Sequence, residues 1–420
     1  MTTPVSSSVT HTQRRGRVAR ASLAAVAATA ALGASALLAP GASAATHSAG
    51  AGKGHAATQK ALDANVALGV PGVVAQARDA RGTWNGTSGV GNLKTKKPRG
   101  ADDRFRIGSI SKTFVATVVL QLEADGKLDI DDKVDKWLPG VVRGNGHDGR
   151  RITIRQLLNH SSGIYNYTED AGFGRKILSK NFLKHRYDTF TPRQLVKTAM
   201  GHRPYFKPGA DWHYSNTNYI LAGMIIEKAT GHPYGTEVER RVLKPLKLRS
   251  TSLPGTKARV PGPHSRGYST LFDTSPKAKV HDVTEMNPSW GHSAGEMIST
   301  TSDLNRFYQS LLGGRLLPAK QLKEMKTTIP MSKEAPNARY GLGLAKIKLP
   351  CSTTVWGHDG GIHGSASLGL TTGDGRHTLA ANLNGDWAGD FGSVMTAEFC
   401  GKGAPAAAGG WSTPSLTGGE

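Results

Sequence analysis

The strongest pattern in this 420-residue chain begins at Arg106-Ile107-Gly108-Ser109-Ile110-Ser111-Lys112-Thr113-Phe114. Apolar residues then recur at helical spacing as far as Leu122, which predicts a helix that ends near Gly126. Residues three apart share a helix face, so Ser109 and Lys112 are expected to point the same way. A hydroxyl beside an amine that can take its proton is a candidate nucleophile. Taken alone, however, Ser-x-x-Lys is better explained by an N-cap serine followed by a solvated lysine.

Two further short motifs lie downstream. Tyr214-Ser215-Asn216 precedes an apolar helical pattern, and His358-Asp359-Gly360 follows a short strand pattern. A second His-x-Gly, His147-Asp148-Gly149, comes directly after Asn145-Gly146 and is interpreted as part of a turn. Each motif is weak by itself, and the ordered set is what carries information.

In this order the three motifs resemble those of the penicillin-recognising serine hydrolases. The resemblance extends over roughly 62–402 and is closest to the secreted serine D-alanyl-D-alanine carboxypeptidases. It implies an enzyme that works through an acyl-enzyme, needs no cofactor or metal, and has β-lactams as possible inhibitors. It also implies a disulfide where Cys351 and Cys400 fall.

The resemblance assigns the reacting groups. Ser109 would attack a carbonyl, and Lys112, if burial or a nearby cation keeps it neutral, would accept the hydroxyl proton. Tyr214 is the other candidate for proton transfer and could protonate the leaving nitrogen. Tyrosine has a reference pKa of about 10, so Tyr214 would need cationic neighbours to act as a base. Whether Lys112 or Tyr214 is the base stays open.

Supporting residues complete the predicted site. A backbone N–H needs no particular side chain, so a glycine can serve in an oxyanion hole. The supporting residues are Asn216 (substrate amide and Lys112 orientation), His358 (positioning of Tyr214 or substrate), Gly360 (third motif), Gly361 (oxyanion hole, with the Ser109 N–H) and Trp290 (cleft wall, or alternatively a buried core residue).

The third motif departs from the carboxypeptidase pattern. Those enzymes bind a free carboxylate with two threonines and an arginine, and the corresponding places here look like Asp359, Gly361 and approximately Ala345. Like charges at ~4 Å cost roughly 4 kcal/mol at an effective dielectric near 20. Unless Lys346 or Lys348 compensates, Asp359 is expected to favour a substrate amine, amide or ester. The alternative is a local role for Asp359 in a salt bridge or turn.

One competing motif predicts another hydrolase class. Gly291-His292-Ser293-Ala294-Gly295 matches the Gly-x-Ser-x-Gly elbow of α/β-hydrolases, and Asp303 and His358 could complete a triad. That elbow needs a buried strand immediately before it, and 286–290 makes a poor strand. We therefore give this hypothesis little weight.

The chain begins like an exported protein. Arg14, Arg15, Arg17 and Arg20 precede an Ala/Leu-rich run over 21–39, and Ala42-Ser43-Ala44 fits a cleavage site. Arg14-Arg15 leaves twin-arginine export open beside ordinary export. No second apolar segment approaches the ~20 residues that span a bilayer, so a secreted protein without a stable anchor is expected.

Cysteine content and charge add two expectations. Export with only Cys351 and Cys400 suggests one disulfide, the alternative being two buried thiols. The net charge is +22, or +18 without the four signal-peptide arginines. Basic residues are scattered and aromatic residues make up 6%, which argues against a nucleic-acid partner. An anionic cell envelope is a possible partner, and simple solubility explains the charge equally well.

Strand patterns occupy both ends of the mature chain, with helices between them. This order predicts an α+β fold: one antiparallel sheet built from both chain ends, flanked by helices, with a mostly helical inserted domain. The predicted divisions are a signal peptide (1–44), a linker (45–57), a hydrolase domain (58–402, insertion roughly 127–286) and a disordered tail (403–420).

The sequence therefore predicts an exported serine hydrolase acting through Ser109. Its nominal function is that of a D-alanyl-D-alanine carboxypeptidase-like peptidase on cell-wall-type D-amino-acid peptides. The alternatives are a β-lactamase, an esterase, a D-amino-acid amidase or aminopeptidase on the same scaffold, or an inactive penicillin-binding envelope protein. The class A β-lactamase Ser-Asp-Asn motif is absent, which argues against that branch.

Overall fold

Strands from both ends of the chain form one antiparallel sheet. The computed structural model describes residues 54–275, 277–331 and 336–401. The strands are β1 (Gly72–Asp79), β2 (Gly82–Gly89), β3 (Phe105–Arg106), β4 (Arg143–Gly144), β5 (His147–Asp148), β6 (Tyr268–Ser269), β7 (His281–Asp282), β8 (Ile298–Ser299), β9 (Ile329–Pro330), β10 (Ala338–Tyr340), β11 (Ala345–Lys348), β12 (Thr354–Ile362), β13 (Ser365–Thr372) and β14 (Thr378–Leu383). The main sheet has the order β2-β1-β14-β13-β12-β11-β10-β9, so the first and last strands of the domain lie near one another, as predicted.

Helices fill the middle of the chain and cover both faces of the sheet. They are α1 (Ala56–Ala67), α2 (Ser111–Ala124), α3 (Val134–Trp137), α4 (Ile154–Leu158), α5 (Ala171–Ile177), α6 (Phe182–His185), α7 (Pro192–Met200), α8 (Asn216–Thr230), α9 (Tyr234–Val238), α10 (Lys244–Leu246), α11 (His292–Gly295), α12 (Thr301–Leu312), α13 (Ala319–Lys326) and α14 (Phe391–Cys400). Between 127 and 286 every described strand has only two residues, which agrees with the predicted helical insertion. None of the described helices has the length and apolar character needed to cross a bilayer.

Two apolar clusters pack on opposite faces of the sheet. Neighbouring residues of β12 divide between them, because successive strand side chains point to opposite faces: Trp356 joins one cluster and Val355 the other. The larger cluster includes α2 and α8, and the smaller one includes α1 and α14. Full burial of one aliphatic side chain stabilises a fold by roughly 1.5–3 kcal/mol, so both clusters contribute strongly.

Helix α2 runs through the larger cluster and sets the position of the first motif. All residues from Ser111 to Leu120 are buried, and the helix ends before Gly126, whose φ of +66° suits glycine. Ser109 lies one turn earlier, in a short 3₁₀ turn over Gly108–Ile110. The predicted shared direction of Ser109 and Lys112 survives this change, because residues three apart also align in a 3₁₀ turn.

One strand prediction was wrong in its limits. The strand pattern that was predicted to end before His358 continues as β12 to Ile362, so the third motif lies on a strand and not after one. Pairing with β13 along Val355–Ile362 outweighs the low strand propensity of its glycines. Before β12 the chain forms the β10–β11 hairpin, which turns at Gly343 with a φ of +70°.

A disulfide joins Cys351, just before β12, to Cys400 at the end of α14, with their Cα atoms 5.7 Å apart. Helix α1 begins at Ala56, two residues inside the segment predicted as a linker. The predicted signal peptide (1–44), the rest of the linker and the predicted tail (403–420) lie outside the described residues.

Candidate active site

Ser109 and Lys112 meet at the start of α2. The Lys112 Nζ lies 2.8 Å from the Ser109 Oγ, a hydrogen-bonding distance. Ser109 lies in the 3₁₀ turn, and Lys112 extends from the buried first turn of α2. The two groups of the first motif are therefore placed for direct proton transfer.

Lys112 has two more oxygen neighbours. Its Nζ donates to the Asn216 Oδ1 at 2.8 Å and to the Ala294 carbonyl at 2.7 Å. Burial holds the pKa of Lys112 well below that of a free lysine, and the negative charge of Asp359 acts in the opposite direction. A neutral amine has two N–H groups and one lone pair, so with both N–H groups donated, the lone pair faces the Ser109 hydroxyl. This arrangement suits a general base.

Tyr214 lies beside this pair, immediately before α8. The Lys112 Nζ is 4.9 Å from the centre of the Tyr214 ring. Burial raises the pKa of Tyr214 well above its ordinary value, although the nearby Ser109 hydroxyl opposes the shift. Tyr214 therefore keeps its proton at neutral pH, which suits a proton donor and disfavours the alternative in which it is the base.

His358 has both ring nitrogens occupied by neighbours other than Tyr214. Its Nε2 lies 2.7 Å from the Tyr340 hydroxyl, and its Nδ1 lies 2.5 Å from the Asp359 carbonyl. The rings of His358 and Tyr214 are 6.5 Å apart. Burial, reinforced by Lys112, lowers the pKa of His358 to about 3, so the ring is neutral at neutral pH. Its hydrogen bonds orient Tyr340 and β12, and not Tyr214 as the sequence suggested.

Asp359 lies on the same strand with a partly accessible carboxyl group. Its side chain is 28% exposed, and its one ion-pair contact among the described residues is the His358 Nδ1 at 3.5 Å. Burial raises the pKa of Asp359 to about 6, while a backbone hydrogen bond and Lys112 lower it. Because His358 is neutral, the Asp359 carboxylate has no stable positive partner within the described chain at pH 7.

Glycines allow β12 to touch the turn that carries Ser109. A Cβ on Gly360 would lie 2.0 Å from the Ile107 carbonyl oxygen and 2.9 Å from the Ser109 nitrogen. A Cβ on Gly108 would lie 2.7 Å from the Gly361 oxygen and 2.8 Å from its nitrogen. The pairing of β11 with β12 stops at Gly357, so the strand beyond it offers a free edge. The backbone nitrogens of Ser109 and Gly361 thus lie on two chain segments in direct contact. An oxyanion hole needs two N–H donors placed close together in this way.

Two other predicted features take structural roles. Trp290 is 6% exposed and packs in the larger apolar cluster, which is the core alternative that the sequence left open. The Gly-x-Ser-x-Gly hypothesis is wrong, because Ser293 follows a 3₁₀ turn and its hydroxyl donates to the Tyr219 carbonyl. Asp303 accepts from Thr251 and does not contact His358.

Three parts of the site escaped the sequence prediction. The Ala294 carbonyl that receives Lys112 is a backbone group with no side-chain signature. Tyr340 is brought to His358 only by the register of the sheet, across β11. His160 lies against Tyr214, with ring centres 4.3 Å apart, and belongs to none of the three motifs. In the described residues, no cluster of three or more metal-ligating side chains occurs.

This chain is similar in sequence and in fold to known proteins. Residues 56–393 match the family described as Beta-lactamase. The structure of a D-stereospecific amidohydrolase from Streptomyces sp. is 61% identical, with a TM-score of 0.79, and the match covers 83% of this chain and 99% of that one. The structure of a D-amino acid amidase from Ochrobactrum anthropi SV3, complexed with L-phenylalanine amide, is 31% identical, with a TM-score of 0.68 and coverage of 78% and 90%.

In the curated relatives, the match covers a smaller share of the relative's length than it does in the two solved structures. Penicillin-binding protein 4* of Bacillus subtilis (strain 168) is 28% identical over 316 residues, which are 73% of this chain and 66% of that protein. The chain spans between 38% and 66% of the length of the first curated relatives that it matches. Matches to the two solved structures above span nine tenths or more of the neighbour.

Proposed function

This chain belongs to the Beta-lactamase family and is a serine hydrolase of the acyl-enzyme type, and on that premise we propose that it hydrolyses amides of D-amino acids. The observation that carries the proposal is the Asp359 carboxylate, which has no stable positive partner in the described chain and lies on β12, the strand that contacts the turn carrying Ser109. It repels the free carboxylate that a carboxypeptidase must bind and attracts the α-ammonium group of an amino acid amide. The two amidohydrolase structures support the same substrate class.

The chemistry uses the contacts already described. Ser109 Oγ attacks the amide carbonyl carbon while Lys112 takes the hydroxyl proton, and the N–H groups of Ser109 and Gly361 bind the oxyanion. Tyr214 gives a proton to the leaving nitrogen, the C–N bond breaks and ammonia departs, which leaves an ester on Ser109. Water then attacks that ester and releases the D-amino acid, and proton transfer returns Ser109, Lys112 and Tyr214 to their starting states.

A turnover panel tests the substrate class. It contains a D-amino acid amide, its L enantiomer, a D-alanyl-D-alanine peptide with a free carboxylate, a cephalosporin and a short ester. We expect the highest kcat/KM for the D-amino acid amide. Preference for the free-carboxylate peptide would overturn the proposal in favour of a carboxypeptidase, and preference for the cephalosporin would favour a β-lactamase.

Replacing Asp359 by asparagine should raise KM for a D-amino acid amide about tenfold at pH 7, since the loss of one charge-assisted contact costs roughly 1.5 kcal/mol. The pKa of Asp359 is about 6, so the carboxylate forms as pH rises through 6. The wild-type KM should therefore fall over that range, and the KM of D359N should lack this step. Steady-state kinetics from pH 5 to 8 provide the measurement.

The N-acetyl derivative of the same amide provides the substrate control, because it carries no ammonium group. D359N should leave its KM unchanged. The variant Asp374→Asn, in the exposed turn between β13 and β14, removes one negative charge away from the site and should behave as wild type. An equal effect of D359N on both substrates would show that Asp359 does not bind the amine.

We also propose that the protein is exported. The arginine-led apolar segment with Ala42-Ser43-Ala44 supports this, and the Cys351–Cys400 disulfide suits an oxidising compartment. Expression of the full chain in a bacterial host should yield extracellular protein whose first residue is Ala45. Protein retained in the cytoplasm with its initial residues intact would contradict the proposal.

A further inference from the structure

His160 occupies a strained position in the loop that follows α4. Its φ is +63°, in the left-handed region that non-glycine residues rarely adopt, and its side chain is fully buried. Such strain persists only where the surroundings hold it, and it is often found next to functional groups. The contacts of His160 show what the strained conformation achieves.

The residue binds the chain on both sides of Tyr214. The backbone N–H of His213 donates to the His160 carbonyl at 3.1 Å, and the N–H of Ser215 donates to the His160 Nδ1 at 3.2 Å. Between these two bonds, the imidazole packs against the Tyr214 ring, with centres 4.3 Å apart and planes inclined by 36°. One residue thus fixes the backbone and the ring of the proposed proton donor.

The protonation state of His160 follows from its donors. A second donor, the Asn218 Nδ2, lies 3.1 Å from Nδ1, and the Asn218 amide is oriented by the Ser162 hydroxyl, which donates to its Oδ1. With two donors, Nδ1 must be unprotonated, so the ring proton is on Nε2. Within the described residues Nε2 has no hydrogen-bond partner, and the rings of Tyr340 and Tyr219 lie 5.0 and 5.4 Å away. No acceptor is near enough to make this imidazole a proton relay.

We propose that His160 is a positioning residue that holds Tyr214 in place to protonate the leaving nitrogen. This inference rests on the role of Tyr214 in the proposed function. It predicts a dependence on the leaving group: an amide nitrogen needs a proton to depart, whereas the phenolate of an activated ester departs without one. A residue that merely stabilises the core would affect both substrates alike.

The test compares His160→Ala with wild type on a D-amino acid amide and on the 4-nitrophenyl ester of the same amino acid. We expect kcat to fall about 100-fold for the amide and less than about fivefold for the ester, with little change in either KM, because a misplacement of ~1 Å costs about 10²-fold. Equal losses on both substrates would overturn the proposal.

A double-mutant cycle with Tyr214→Phe separates this inference from the proposed function. If His160 acts through Tyr214, H160A should cause no further loss of amide hydrolysis in Y214F. Additive losses would refute the positioning role. If Y214F itself lowers amide and ester hydrolysis equally, the assigned role of Tyr214 fails, and the proposal for His160 fails with it.

Two further variants exclude a simple loss of folding. His160→Asn retains an acceptor near the place of Nδ1, and asparagine tolerates positive φ. Its kcat for the amide should therefore be at least tenfold higher than that of H160A. His147→Ala removes another buried histidine, on β5, and neither of its ring nitrogens has a hydrogen-bond partner in the described chain. It should show no difference between amide and ester. Failure of H160N to recover, with its thermal stability unchanged, would contradict the proposal.

Discussion

Replacing Ser109 by alanine is expected to lower kcat/KM for a D-amino acid amide by about 10⁶-fold, the order found when an acyl-enzyme hydrolase loses its nucleophile. The Ser109 Oγ is the hydroxyl that lies 2.8 Å from a buried amine and on a turn in contact with the Gly361 backbone. Without it no covalent ester can form. Steady-state kinetics measure the loss, and intact-protein mass spectrometry of samples quenched after mixing with the 4-nitrophenyl ester of a D-amino acid should show an acyl adduct on the wild-type protein and none on S109A.

Ser293 is the control, since it is the serine of the competing Gly-x-Ser-x-Gly segment and is fully buried. Ser293→Ala removes the hydrogen bonds of the hydroxyl with the Tyr219 carbonyl and the His292 Nδ1, which should cost roughly 1–3 kcal/mol of stability and leave kcat/KM within a few-fold of wild type. The S293A variant should still form the acyl adduct. Retained turnover in S109A together with loss in S293A would reverse the assignment of the nucleophile.

The first motif was predictable because its contact is local. Ser109 and Lys112 are three residues apart, so any helical or 3₁₀ turn brings them together, whatever the rest of the chain does. The composition of the sheet was predictable from the order of the elements. Strand patterns occur at both ends of the chain, and strands from both ends can pair in one sheet. These inferences depend on short-range periodicity, which a single sequence displays directly.

The remainder of the site depends on contacts between distant segments. The Ala294 carbonyl is 182 residues from Lys112 and has no side chain that marks it as an acceptor. Tyr340 reaches His358 because β10 and β12 flank β11 in one register, which no local pattern encodes. The sequence suggested that His358 could position Tyr214 or the substrate, but it did not identify Tyr340 as the partner.

Substrate choice also depends partly on a local sequence pattern and partly on contacts that only the structure shows. The sequence revealed that Asp359 stands where a carboxypeptidase hydroxyl is expected, and it left a local salt bridge as the alternative. Only the structure shows that the neighbouring His358 is neutral, so that the Asp359 carboxylate lacks a stable positive partner in the described chain. A charge visible in the sequence thus became informative once its surroundings were known.

Replacing Lys112 by methionine is expected to lower kcat/KM by about 10³-fold, within the range that general-base catalysis contributes. Lys112→Arg should lose as much, because arginine can donate hydrogen bonds to Asn216 and Ala294 but cannot give up its proton near neutral pH. This variant separates a base from a structural donor. Substantial activity in K112R would show that Lys112 acts mainly by holding Asn216 and Ala294.

The pH profile provides an independent measurement of the same role. Burial lowers the pKa of Lys112, so the amine loses its proton as pH rises and becomes able to accept one from Ser109. With an N-acetylated ester, which avoids titration of a substrate amine, kcat/KM should rise with pH through the lowered pKa of Lys112 and then level off. Tyr214 should not reverse this rise in the mildly alkaline range, because its pKa is raised and it keeps its proton. A bell-shaped profile that falls before pH 9 would instead indicate that a protonated Lys112 is the active form, and Lys112 would then be an electrostatic stabiliser of the oxyanion and not the base.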